Sequence, residues 1–430
     1  MSRPASLARA TALAGLLALS ARAAPPPLPV PEVMEDGSEL VVVLLPAARW
    51  SSLRLVVRAG GSQDPDEKGG VARLLGRSIL DGVVDEHGTH LEELVRREGG
   101  TIVLHSTPSS TTYALDAPSD KFAALAGTVV AHVTSPRLSL VDVQKEVPLL
   151  NTEAPEPRGP RQPWARLERL LFPLTDPNSP VDGSPRSRQH IEREDLVAFF
   201  GKNYLTNAVT AVFAGAVTAE QVRTLVDQNM RLPPAIPDDR ATPPKLDPVS
   251  LPLTERQSGP AHFAAVGYRL DKGHRRACQT LARAADVKVA LALGKAGKAP
   301  WMEVRCLSLR GQDFLVASSP ARSPDPYAFP DAVDRAFKDA AKAQPRGTGW
   351  IRLQQGAQRS LELLAEDPPA MADALAQEAV ARAAVGLTDV SAVFFKPAPG
   401  WTEVKDLAKR SFREDRMFQI YLSPAPPGEK

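Results

Sequence analysis

Cysteine is scarce: Cys278 and Cys306 are the only 2 in 430 residues. Two cysteines exclude a zinc ribbon and a multi-bridge disulfide framework. They leave open a single bridge or a pair of buried, inert thiols. Aromatics make up 5% of the chain, too few for a binder that works by stacking on bases. Charge of one sign is also missing. The 52 Lys and Arg against 50 Asp and Glu leave a net charge of +2, which gives no reason to expect nucleic acid or an acidic surface as partner. The 7 histidines are scattered, and no Ser-His-Asp set, Gly-x-Ser-x-Gly elbow or phosphate loop is present. No apolar run is long enough to span a bilayer.

What is there begins with a leader. Arg3 and Arg9 precede a short apolar run, Ala10 to Ser20, and Ala21-Arg22-Ala23 is a small-x-small cleavage site. Residues 1–23 are therefore expected to be a secretory signal peptide, and the mature protein to be exported to the bacterial periplasm or beyond. The length suggests two to four units of ordinary domain size.

Hydrophobic periodicity then alternates between strand and helix. Strands are expected over 39–45, 53–59, 101–106 and 110–117, and helices over 69–80, 89–98 and 121–133. Thr89 is the expected N-cap of the second helix, with Glu92 three residues on. Leu140 to Asn151 is helical in pattern, and Pro148 is expected to kink or end it. A helix over 193–204, a strand over 208–214 and a helix before Met230 close the first half. Residues 232–256 are rich in proline and read as a linker. The second half repeats the order: a strand at 261–270, a long helix at 274–294, a hairpin over 301–319, a helix at 330–342, a strand near 349–354, helices at 359–385 and 402–412, and a last strand at 417–422. The fold class is α+β, with two tandem homologous lobes, 37–231 and 257–425, each a mostly antiparallel sheet packed with helices.

One stretch carries a family resemblance. Arg58 to Gly82, RAGGSQDPDEKGGVARLLGRSILDG, is similar to the inverzincin segment, in which a strand leads to a helix bearing His-x-x-Glu-His. Glu98-Gly99-Gly100, Thr111 and Tyr113, Lys145-Glu146-Val147, Phe172-Pro173, Pro180 to Gly183 and Arg193 to Ala216 follow in the order and spacing of the same family. On this ordered set the chain resembles the insulinase/pitrilysin metallopeptidases, two-lobed clamshells that bind zinc through two helical histidines and a later glutamate.

The resemblance implies zinc, yet its ligands are replaced. Arg73 stands at the first histidine, Gly76 at the general base and Arg77 at the second histidine. Arginine offers no lone pair, so neither can ligate zinc. Alignment puts Asn151 at the third ligand, with Glu153 two residues on. A substrate-gripping Arg and Tyr of the second lobe fall on Gly294 and Trp301. No cofactor and no peptidase activity are expected. The resemblance implies instead a non-catalytic subunit beside an active zinc peptidase, a heterodimer that binds extended or unfolded peptides. Candidate binding residues are Arg73, Arg77, Val103, His105 and Trp301, with a peptide adding to the edge strand near Val103. Two alternatives remain open: a stand-alone peptide-binding or chaperone-like protein, and a hydrolase with a rebuilt site at His87 and His90, which otherwise read as solvated capping residues.

Overall fold

The computed structural model describes residues 29–107, 109–152, 171, 183–233, 250–258, 263–271, 274–295, 303–309, 312–320, 329–342, 348–383 and 399–423. The first sheet draws on β1 (Val30–Val33), β2 (Glu39–Leu44), β3 (Trp50–Val57), β4 (Thr101–Ser106), β5 (Thr111–Pro118) and β6 (Val209–Gly215). Its helices are α1 (Val71–Leu80), α2 (Leu91–Arg97), α3 (Ser119–Thr134), α4 (Leu140–Thr152), α5 (Arg193–Asn203) and α6 (Ala219–Asn229). The second half contributes β7 (Leu253–Ser258), β8 (Phe263–Arg269), α7 (Arg275–Lys295), β9 (Glu303–Leu309), β10 (Gln312–Pro320), α8 (Phe329–Lys342), α9 (Thr348–Ala365), α10 (Pro368–Ala383), α11 (Trp401–Ser411) and β11 (Met417–Ser423).

The two sheets run β1-β2-β6-β3-β5-β4 and β7-β11-β8-β10-β9. Dropping β1, the second order repeats the first strand for strand. In both, one pair is parallel, β2 with β6 and β7 with β11, and the rest are antiparallel. Two homologous α+β lobes are therefore present, as the alternating pattern implied.

Both faces are covered at the centre of the first sheet, which explains the unbroken apolar runs in β2 and β6. On the first sheet, α1 and α3 cover one face with Leu74, Leu75, Ile79, Phe122 and Val129 in the core. The other face is covered by α10, which comes from the second half: Met371, Leu375 and Ala379 pack on Val41, Val56 and Val212. In return Leu171, from the first half, is buried among Ala265, Phe314 and Ile420 of the second sheet. Arg54 on β3 fastens α10 in place. It is 2% exposed and donates to Asp116 Oδ1 at 2.8 Å, to Asp373 Oδ1 at 2.5 Å and to the Pro369 carbonyl at 3.3 Å.

Cys278 and Cys306 are bonded to each other, joining α7 to β9 across 28 residues. Closing a loop of that size removes chain entropy from the unfolded state, a stabilisation of about 3 kcal/mol. Changing both cysteines to alanine is expected to lower the urea midpoint by the corresponding amount and to leave the first sheet folded.

Several local expectations need correction. The strand expected near 349–354 is part of α9. Its Trp-Ile-Arg-Leu start reads as β, but helical spacing of apolar residues through Leu363 decides the element. Of the two outcomes expected of Pro148, a kink or an end, the end does not occur: α4 runs on to Thr152 with the proline inside it and exposed, at the loss of one backbone bond. The N-cap of α2 is His90 rather than Thr89. Thr89 is taken up by the preceding turn, where its N–H donates to Asp85 Oδ1 at 2.9 Å. The stretch expected as linker, 232–256, ends inside β7, which pairs in parallel with β11. The polar sequence Leu-Thr-Glu-Arg-Gln-Ser concealed an edge strand, and β1, Val-Pro-Glu-Val, is a four-residue edge strand interrupted by proline.

Candidate functional site

Helix α1 is the frame of the candidate site. Its start is fixed by Asp64, whose carboxylate accepts the N–H of Gly70 at 2.6 Å and of Ala72 at 2.8 Å. Gly70 precedes the helix at φ +104°, a conformation that favours glycine. Burial pushes the Asp64 carboxyl up to about 7, against the pull of these backbone N–H groups. Val71, Leu74, Leu75 and Ile79 face the core, so Arg73 and Arg77 fall on the side facing α4 and α5, half-buried.

Arg77 meets Glu146 on α4. Its Nε donates to Glu146 Oε2 at 3.2 Å, with side-chain exposures of 27% and 2%. Burial pushes the Glu146 carboxyl up, and the Arg77 guanidinium pulls it back only in part. A cation and an anion thus satisfy each other on the flank of α1. Nearby, Lys145 pairs with Asp81 at 2.6 Å and Lys68 with Asp195 at 2.7 Å.

Gly76 faces the sheet. A Cβ there would lie 2.8 Å from both methyl carbons of Leu104 on β4. Leu104 would have to swing its methyl groups aside to admit a side chain at 76. Gly76→Glu is therefore expected to destabilise the chain by about 2–4 kcal/mol, through overpacking and a buried carboxylate. Pairing it with Leu104→Ala should recover part of the loss in urea unfolding.

The donor set does not fit zinc. Two guanidiniums and a glycine stand on α1, and guanidinium cannot ligate. Among the described residues no group of three or more His, Cys, Asp or Glu could hold a metal ion. Asn151 turns to another partner, its Oδ1 accepting from Arg188 Nε at 2.9 Å. Glu153 lies outside the described residues. His87 is exposed, in a turn organised by Asp85 Oδ1, which accepts from His87 and Thr89 N–H. His90 places its ring Nδ1 against the Asp81 carbonyl.

The structure does not bring all the sequence candidates together. Strand β4 is the sheet edge, with β5 as its one partner among the described residues. Ile102 and Leu104 pack on the helix side. Alternation therefore sends Val103 and His105, both exposed, to the opposite face from Arg73 and Arg77. Trp301 lies outside the described residues, and Gly294 is in α7. Sequence reasoning missed Glu146 and Leu104 as site residues. A signal existed for the first: Glu146 shares the apolar face of α4 with Val143, Val147 and Leu150, where a lone carboxylate asks for a partner.

Comparison with known proteins bears on this arrangement. Residues 41–154 match the model of the insulinase family, peptidase family M16. No curated protein sequence matches the chain. Among solved structures, a protease from Helicobacter pylori is similar at TM-score 0.70 and 13% identity, over 93% of this chain and 100% of that one. An M16 inactive domain from Pseudomonas fluorescens is similar at TM-score 0.71 and 16% identity, over 93% and 99%. The periplasmic protease PqqL from Escherichia coli is similar at TM-score 0.67 and 13% identity, over 94% of this chain and 50% of that one. At these identities the likeness establishes the fold over nearly the whole chain.

Proposed function

We propose, from the premise that residues 41–154 match the insulinase family and that the whole chain carries its fold, that this protein is a non-catalytic M16-type subunit that acts by binding peptide beside an active zinc peptidase. The observation that carries this reading is the Arg77–Glu146 ion pair on α1, where the family resemblance places a zinc ligand, next to a base position that holds a glycine packed against Leu104. Hydrolysis of a peptide in this family needs a metal to activate water and a carboxylate to take its proton. Neither can be assembled from Arg73, Gly76 and Arg77.

A surface for binding is still present. Among the described residues strand β4 has no partner strand on its outer edge, and an extended peptide can add to it through main-chain hydrogen bonds. The likeness to an inactive M16 domain supports the reading. So does the bridge between Cys278 and Cys306, which belongs to an oxidising compartment such as the periplasm. The test is a tagged pull-down from the exported fraction of the native host, followed by mass spectrometry. Stoichiometric recovery of a related chain with an intact His-x-x-Glu-His is the expected result. Recovery of the chain alone overturns the subunit reading and leaves a stand-alone peptide binder.

A further inference from the structure

A second site lies away from α4 and α5. Helix α3, the turn after α1 and the end of α6 enclose an open cavity of about 510 Å³. That volume is within the range of small-molecule pockets. Ala124, Gly127 and Ala131 on α3 make the room, and Val83 and Val84 add an apolar wall. A Cβ at Gly127 would sit 3.2 Å from Asn229 Nδ2, so the glycine is what lets Asn229 reach the cavity.

Five polar residues line it, Thr128, Ser135, His132, Arg137 and Asn229, and Thr128 Oγ1 donates to the Ala124 carbonyl at 3.1 Å. His132 is 9% exposed and lines the cavity. Its Nε2 lies 2.9 Å from the Ile79 carbonyl, which accepts only, so Nε2 carries the hydrogen. Burial holds the imidazole below its ordinary pKa, and the bond to Ile79 offsets this only in part. A neutral ring that donates from Nε2 keeps Nδ1 as an acceptor, and among the described residues no bond reaches that atom. Asn229 Nδ2 is used on the Leu225 carbonyl at 2.8 Å, leaving Oδ1 as a second acceptor. Arg137 is exposed at the rim and has no ion pair among the described residues.

We propose that this cavity binds a free amino acid or the end of a short peptide, whose N–H donors meet His132 Nδ1 and Asn229 Oδ1 and whose carboxylate pairs with Arg137. Two acceptors and one cation select donors and an anion on the same small ligand. The alanines and valines accept an aliphatic side chain. The inference does not rest on the proposed subunit role, because none of these residues belongs to α4, β4 or the outward side of α1.

The test is calorimetric titration of the full chain with three probes: L-leucine, the dipeptide Ala-Leu and L-leucinamide. Leucine or the dipeptide is expected to bind, and which of them does so tells a free amino acid from a peptide end. Leucinamide, with no carboxylate, is expected to bind at least about tenfold more weakly. Arg137→Gln should reduce affinity for the bound probe about tenfold or more. Ala124→Trp should abolish binding by filling the cavity. Both positions are exposed, so unchanged thermal melting is expected and shows that the variants fold. Failure of both carboxylate probes to bind, or wild-type affinity in either variant, overturns the proposal.

Discussion

Arg77→Ala is expected to lower stability at neutral pH by about 2–3 kcal/mol, because it strands a buried carboxylate. Glu146 is 2% exposed in its side chain and already has its pKa raised by burial. Full burial of both partners would make the loss larger, but Arg77 is 27% exposed, so part of its own desolvation is absent. The sign with pH follows from linkage. Without Arg77 the Glu146 pKa in the folded chain rises further, above that of the unfolded chain at about 4.3. The native state then holds the proton more tightly, and stability is lost as pH rises from that value through the folded pKa. The deficit of the variant should therefore be large at pH 7 and shrink toward pH 4. Urea unfolding of Arg77→Ala, Glu146→Gln and the double variant closes a cycle. A double variant near wild-type stability is the expected outcome. An equal deficit at pH 4 and pH 7, or a double variant as weak as the single one, would show that the pair does not hold this flank together.

The second large effect belongs to Arg54. Arg54→Met should cost about 2–4 kcal/mol and loosen α10 from the first sheet. The residue is 2% exposed, and the two carboxylates raise its pKa above the level that burial alone would set. Its partners differ: the Asp116 side chain is 23% exposed and that of Asp373 is 51% exposed. Asp373→Ala should therefore cost less than about 1 kcal/mol, the range of a solvated pair. Limited proteolysis reads the outcome. Faster cleavage near Glu366 and Asp367, the turn before α10, is expected for Arg54→Met. Unchanged cleavage together with unchanged stability would mean that α10 is held by Met371 and Leu375 alone.

These cases show what was legible in the sequence. The order of strands and helices was, because Val- and Leu-rich runs such as 39–44 and 209–215 are buried on both faces. That Arg73, Gly76 and Arg77 stand where the family resemblance places ligands and base is read directly from the sequence. The exchange of α10 between halves was not. Nothing in Pro-Pro-Ala-Met-Ala-Asp says which sheet it will cover, and the ion pair that fixes it joins positions 319 apart. Polar edge strands escaped as well, because β1 and β7 are the outermost strands of their sheets and show no hydrophobic run. The reason for Gly76 was invisible until Leu104 was placed against it. Val103 and His105 read as site neighbours of Arg77, and only the pleat of β4 separates them from it.

With Arg73, Gly76 and Arg77 on α1, the helix that the family resemblance assigns to zinc is proposed to bind none. The most direct test is elemental analysis of the full chain after equilibration with zinc and removal of the unbound metal, with a peptide-hydrolysis assay on the same sample. Zinc far below one ion per chain, and no hydrolysis that a chelator abolishes, is the expected result. One tightly bound zinc per chain, together with chelator-sensitive hydrolysis, would contradict it.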